Sequence, residues 1–177
     1  MLSPRKFGGL AVPYNRWSTV SLAGENDHGY RTREKVIPGA FETARFMPVL
    51  GLLDHDPKIR IASVMDGSLV LTETKEGLDA TFELSDTIVG RAVSEAVIRG
   101  DAKGLSIGFT IDREQAGVDH VTKVHWRILQ KAMLREVSLI TSDSRSKPAY
   151  PDTLVTSRSD NGKSRVVKCL SEERRVI

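Results

Sequence analysis

Residues 104–109 read Gly-Leu-Ser-Ile-Gly-Phe and set Ser106 between two glycines. That spacing is the G-x-S-x-G pattern of the hydrolase nucleophile elbow, where a serine sits exposed on a sharp turn from strand into helix. It is equally the pattern of a serine in a bending β-strand with no chemistry. A serine nucleophile needs a base to take its proton, and the base needs a partner to orient it. The candidate bases are His28, His55, His120 and His125. His28 falls in a loop rich in Gly, Asn and Asp, and His120 stands beside Asp119 in a turn. His125 alternates with Val124 and Trp126 as a strand residue does. These three read first as surface or sheet residues. His55 follows the apolar run 49–53 and lies between Asp54 and Asp56. That places it at the rim of the core, where a structural histidine fits as well as a catalytic one.

The candidate acid is Glu136, in the apolar stretch Leu-Arg-Glu-Val-Ser-Leu-Ile-Thr at 134–141. A glutamate among apolar strand residues is costly to bury unless it is paired. It either points to solvent and meets a cross-strand cation such as Lys123 or Arg127, or it pairs with an imidazolium. The residues alone leave both open.

The elements around these groups argue against the elbow. Residues 5–12 read as a strand ended by Pro13, 18–35 as a polar loop, and 40–47 after Pro38-Gly39 as a short helix. Strands follow at 60–65, 68–74 and 78–84, with a hairpin turn at Asp66-Gly67 and a turn at Glu76-Gly77. Residues 86–99 form the best helix. Ser85 or Asp86 caps it, Ile88, Val89, Ala92, Val93, Ala96 and Val97 line one face, and Gly100 stops it. Three more strands read at 104–112, 121–129 and 132–141, with Gly117 and Asp119 in the turn between the first two. An elbow serine should lie between a preceding strand and a following helix, within a parallel sheet. Here the helix comes first, and His120 and His125 follow too closely for βαβ units. The expected fold is α+β and mainly β: an antiparallel barrel or curled sheet with one or two flanking helices.

Composition bounds the rest. The chain has 177 residues, 40% of them hydrophobic, which suits one domain with a core. Residues 143–177 hold eight Lys/Arg against five Asp/Glu, the whole of the net charge of +3. The body is therefore balanced and not a basic nucleic-acid surface. The same segment holds six serines and no sustained period, and reads as a flexible tail after a domain at 1–142. No apolar run is long enough for a membrane span, and the first 17 residues lack an export-signal core. Cys169, the only cysteine, suits a reducing compartment. No Cys/His metal spacing is present, and neither metal nor cofactor is expected.

The ordered set Gly-Ala-Phe at 39–41, Leu-Leu-Asp-His-Asp at 52–56, Gly-Leu at 77–78, and the two stretches at 104–109 and 134–141 resembles the prohead proteases of tailed bacteriophages. That family of capsid-maturation serine proteases is similar in fold to the herpesvirus assemblin. The resemblance spans about residues 5–150. It implies an order of His, Ser, acid along the chain, which maps onto His55, Ser106 and Glu136. His125 is the strand histidine that would replace Glu136, because assemblin-like enzymes use a second histidine as third member. The chain departs from the family pattern at Ile-Arg-Ile-Ala-Ser (59–63), where a glycine is usual, and at 147–152, where Pro-Ala-Asn is usual. Neither departure removes a catalytic group. The resemblance implies cleavage of scaffold protein or of the scaffolding segment of the major capsid protein. It also implies self-cleavage in the tail and self-association as a homodimer or larger. The implied place is the assembling procapsid in the host cell cytoplasm. A catalytically inert assembly module of the same fold, and a general esterase, are the competing readings.

Overall fold

The structure is a computed structural model that describes residues 5–19, 31–144, 148, 150, 153–158 and 164–165. Its strands fall into two sheets. In the first, β1 (Lys6–Pro13) pairs with β6 (Gly77–Glu83), and β6 with β5 (Leu69–Glu73). Beyond β1 lie β9 (Thr156–Arg158) and β10 (Ser164–Arg165), all antiparallel.

The second sheet is built on one long strand, β8 (Val124–Thr141). Along one edge β7 (Ala102–Asp119) pairs antiparallel from end to end, Ala102 opposite Thr141 and Asp119 opposite Val124. The other edge is shared. β2 (Arg31–Val36) runs parallel to residues 124–129, and β3 (Leu50–Leu53) runs parallel to 136–139. Outside β3 lies β4 (Asp56–Ser63), antiparallel to it. Between β2 and β3 the chain stays on the same edge, with Ala132 N–H donating to Ala40 O at 2.9 Å.

Period-2 alternation decides what faces the core. Phe7, Val12, Phe82 and Leu78 from the first sheet form one buried cluster with Val36, Leu105, Leu129, Val137 and Leu139 from the second. Fully burying side chains of this size stabilises by about 1.5–3 kcal/mol each. α1 (Ile88–Arg99) adds Val93 and Val97 to the same cluster. The expected mainly-β fold with a flanking helix is the observed one, formed as two curled sheets and not a closed barrel, but the sheet expected to be antiparallel is mixed, since β2 and β3 run parallel to β8.

Several local readings are corrected. The two strands expected at 121–129 and 132–141 are one, and the strand expected at 104–112 runs on to 119. The turn is at 120–123, so Gly117 and Asp119 are strand residues. Residues 31–35, expected in a loop, belong to β2. Asp66-Gly67 is a turn but not a hairpin, because β4 and β5 lie in different sheets. The helix expected at 40–47 is a single 3-10 turn, Ala44–Phe46. Thr87 caps α1 in place of Ser85 or Asp86, its Oγ1 accepting from Gly90 N–H at 3.0 Å. Gly90, Val93, Ser94 and Val97 are the buried helix face, while Ile88 and Val89 are exposed.

Beyond residue 142, in the segment expected as a flexible tail, Tyr150 and Thr153 are buried and β9 pairs with β1. That part of the segment is packed on the body. Residues 159–163 and 166–177, with Cys169, lie outside the described residues, as does His28.

Candidate active site

β3 turns into β4 through two residues, Asp54 and His55, since Leu53 already pairs with Asp56. Both have positive φ, 53° and 60°. Positive φ at both central residues is the mark of the type I′ two-residue hairpin turn. Non-glycine residues in that region cost roughly 1–3 kcal/mol each and persist only where the surroundings hold them. Here β8 holds them. Asp54 N–H donates to Leu139 O at 2.9 Å. The Asp54 carboxylate accepts from Thr141 N–H at 2.7 Å and from the Thr141 hydroxyl at 2.6 Å. His55 N–H donates to Ser138 Oγ at 3.2 Å. The turn is thereby fixed on the C-terminal half of β8, with the imidazole at its tip.

The ring meets Glu136. His55 Nδ1 lies 2.6 Å from Glu136 Oε1, with the two side chains 28% and 14% exposed. A carboxylate only accepts, so Nδ1 carries the proton and Nε2 is left as the basic nitrogen. This hydrogen bond raises the His55 pKa above its ordinary 6.5; burial opposes the rise, and the charges of Glu136 and Asp54 add to it. The second carboxylate oxygen, Oε2, accepts from the Ser138 hydroxyl at 2.5 Å. A cross-strand cation for Glu136 is not what the fold supplies. Arg127 is engaged with Glu34 at 2.8 Å, and the register partners of Glu136 are Gly108 and Leu50.

Ser106 reaches the same face by register. Val137 and Leu139 of β8 point into the core, so Glu136, Ser138 and Ile140 point to the opposite side. Directly opposite them on β7 stand Gly108, Ser106 and Gly104. Paired residues of an antiparallel ladder share a face, with Cα atoms about 4.5–5.5 Å apart. The stretch at 104–108 thus puts Gly, Ser and Gly on the site face and Leu105 on the core face. This settles why a glycine follows two residues after the serine. A Cβ built on Gly108 would overlap Glu136 Oε1 and stand 3.1 Å from its Cγ and Cδ. The glycine is the seat of the carboxylate and not part of an elbow turn.

His55 and Glu136 are therefore in direct contact. Ser106 lies on the neighbouring strand, half-buried, in register with Ser138. Among the described residues no hydrogen bond joins Ser106 to the His55 ring. His125 is elsewhere. It pairs with Thr32 and Val118 near the far end of β8, roughly 35 Å along the strand from Glu136 at about 3.3 Å per residue. His120 is exposed in the turn.

Three residues of the site were not singled out from the sequence. Ser138 is fully buried and touches both acid and turn. Its signal was the two-residue spacing from Glu136, which puts both on one strand face. Asp54 carried only the turn signal of its residue type. Thr153 braces β7 beside Ser106: its hydroxyl donates to Leu105 O at 3.0 Å, and its Oγ1 accepts from Leu105 N–H at 3.2 Å. Nothing in the polar stretch around Thr153 announces that contact.

A base with one defined free nitrogen, an acid holding its other nitrogen, and a hydroxyl on the same face are the parts of acyl transfer through a serine. Among the described residues no group of three or more His, Cys, Asp or Glu is placed to hold a metal ion. None of the described helices is long and apolar enough to cross a membrane.

A protein family described as caudovirus prohead serine protease matches residues 4–165. No curated protein matches the chain. Among solved structures, the KSHV protease in complex with a hexapeptide phosphonate inhibitor is similar with a TM-score of 0.47 and 11% identity. That likeness covers 88% of this chain, which spans 65% of the KSHV protease chain.

Proposed function

Since the chain belongs to the caudovirus prohead serine protease family, we propose that it is a serine endopeptidase with Ser106, His55 and Glu136 as catalytic triad. Its substrates are scaffold protein or the scaffolding segment of the major capsid protein, cut inside the assembling procapsid, where the enzyme self-associates. The observation that carries the triad is the 2.6 Å contact of His55 Nδ1 with Glu136, on the strand face that also holds Ser106. His55 Nε2 takes the Ser106 proton as the hydroxyl oxygen attacks a peptide carbonyl. Glu136 keeps the ring in the Nδ1–H tautomer and stabilises the imidazolium. His55 then gives the proton to the departing amine, and water releases the acyl group by the same base catalysis. His125 lies too far along β8 to serve this histidine, which favours Glu136 as the third member.

Self-cleavage belongs to the same reading. A cut before Thr153 would remove the brace on Leu105 and the strand paired to β1, so we place it after Arg165, where the family match ends.

A fluorophosphonate probe tests the proposal. The wild type should gain one phosphonyl mass, and Ser106→Ala none, with both folded. An unlabelled wild type would support the inert assembly module. A labelled enzyme that hydrolyses small esters but no capsid or scaffold peptide would support the general esterase.

A further inference from the structure

We propose that Ser138 is a positioning residue that fixes acid and base to each other through one oxygen; this rests on the triad proposed above. A carboxylate held only by its bond to an imidazole is free to rotate about its Cγ–Cδ bond. At Glu136 that freedom is greater than usual, because Gly108 opposite has no side chain to confine it. Ser138 removes it. Its hydroxyl donates to Oε2 at 2.5 Å while Oε1 faces His55, so both carboxylate oxygens are fixed.

The same oxygen accepts the His55 N–H at 3.2 Å, across 83 residues of sequence. One buried oxygen thus ties the His55 backbone to the acid, beside the Asp54 bonds to Leu139 and Thr141 that fix the turn on β8. A serine that merely satisfied itself in a strand would bond a nearby carbonyl. This one bonds a carboxylate and the amide of a turn with positive φ, and it is in register with Ser106.

The test is the rate of fluorophosphonate labelling of Ser106, read by intact mass from about pH 5 to 9. It compares wild type, Ser138→Ala, Ser138→Thr and Glu136→Gln, with thermal melts alongside. Ser138→Ala should slow labelling about ten- to a hundredfold, the scale of a lost hydrogen bond to a charged group. Its pH midpoint should move down toward the ordinary histidine value, because a loosened carboxylate supports the imidazolium less. Ser138→Thr keeps the hydroxyl and should recover both within a few fold. A folded Ser138→Ala with wild-type rate and midpoint overturns the proposal. So do Ala and Thr variants that are equally slow at an unmoved midpoint, the pattern of a packing role. If Ser138→Ala does not fold, Ser138→Cys, close in volume and a poor donor, carries the same comparison. Wild-type labelling by Glu136→Gln would instead sink the triad itself.

Discussion

Replacing Gly108 by alanine puts a methyl group where the Glu136 carboxylate lies. The built Cβ overlaps Oε1 and is within 3.1 Å of Cγ and Cδ. Non-bonded atoms rest near 3.5 Å, so the carboxylate must retreat by roughly 1 Å. The acid then no longer meets Nδ1 at 2.6 Å, a distance that leaves no slack. Displacements of about 1 Å at a catalytic group cost on the order of a hundredfold in rate, or about 2.7 kcal/mol of barrier. The fold should be little affected. The atoms that must move are the end of a side chain, and Gly→Ala in a compatible strand conformation reduces unfolded-state entropy by about 0.4–1 kcal/mol. We therefore expect Gly108→Ala to label with fluorophosphonate about a hundredfold more slowly while melting within a few degrees of wild type. The double variant with Glu136→Gln should be no slower than Glu136→Gln alone, because the methyl acts only through the acid. Labelling by Gly108→Ala within threefold of wild type would refute the reasoning. Additive effects in the double variant would show that Gly108 acts on Ser106 and not on Glu136.

The pH profile is the second expectation: the active base is neutral, so activity rises through the His55 pKa, which Glu136 holds above 6.5, and Glu136→Gln should lower the midpoint. The same raised pKa makes the pair stabilise the fold fully below pH ~6.5 and less as pH rises through the folded value. The melting difference between wild type and Glu136→Gln should accordingly be larger at pH 6 than at pH 9, and an equal difference would separate Glu136 from His55. For the tail, intact masses of wild type and Ser106→Ala followed side by side should show loss after Arg165 in the wild type only; identical masses throughout would end the self-processing idea.

Much of this was legible because local physics agrees with the fold. The helix 88–99 keeps its apolar spacing and ends at Gly100, whose φ of 79° needs a glycine. Its buried face is rotated from the apolar arc, so that the small residues Gly90 and Ser94 face inward beside Val93 and Val97 while Ile88, Val89 and Ala92 face out. β8 was split in the sequence because Gln130 and Lys131 interrupt an apolar pattern. In the fold that interval is where the strand passes from β2 to β3, and its polarity marks a change of neighbour and not a turn. β2 was missed because its buried partners lie on another strand, while its own residues, Arg-Thr-Arg-Glu-Lys-Val, carry charge at its edge. Of the candidate site, Ser106, His55 and Glu136 are named through the ordered motifs that resemble the prohead proteases, since residue type alone leaves a structural histidine and a solvent-facing glutamate open. Gly108 is not, since its role comes from strand register, which no single segment encodes, and Ser138 carries only its two-residue spacing from Glu136.

The support of β8 for the turn at Asp54-His55 has a consequence in time. Every tie that holds the two positive-φ residues runs to Ser138, Leu139 or Thr141. His55 is translated 81 residues before Glu136, a gap of several seconds at about 5–20 residues per second. Throughout that interval the histidine has neither acid nor the contacts that pin its loop. The chain can fix His55 only once β8 exists. In the proposed triad, activity waits for residues 136–141 of β8, a delay that needs no separate inhibitory segment.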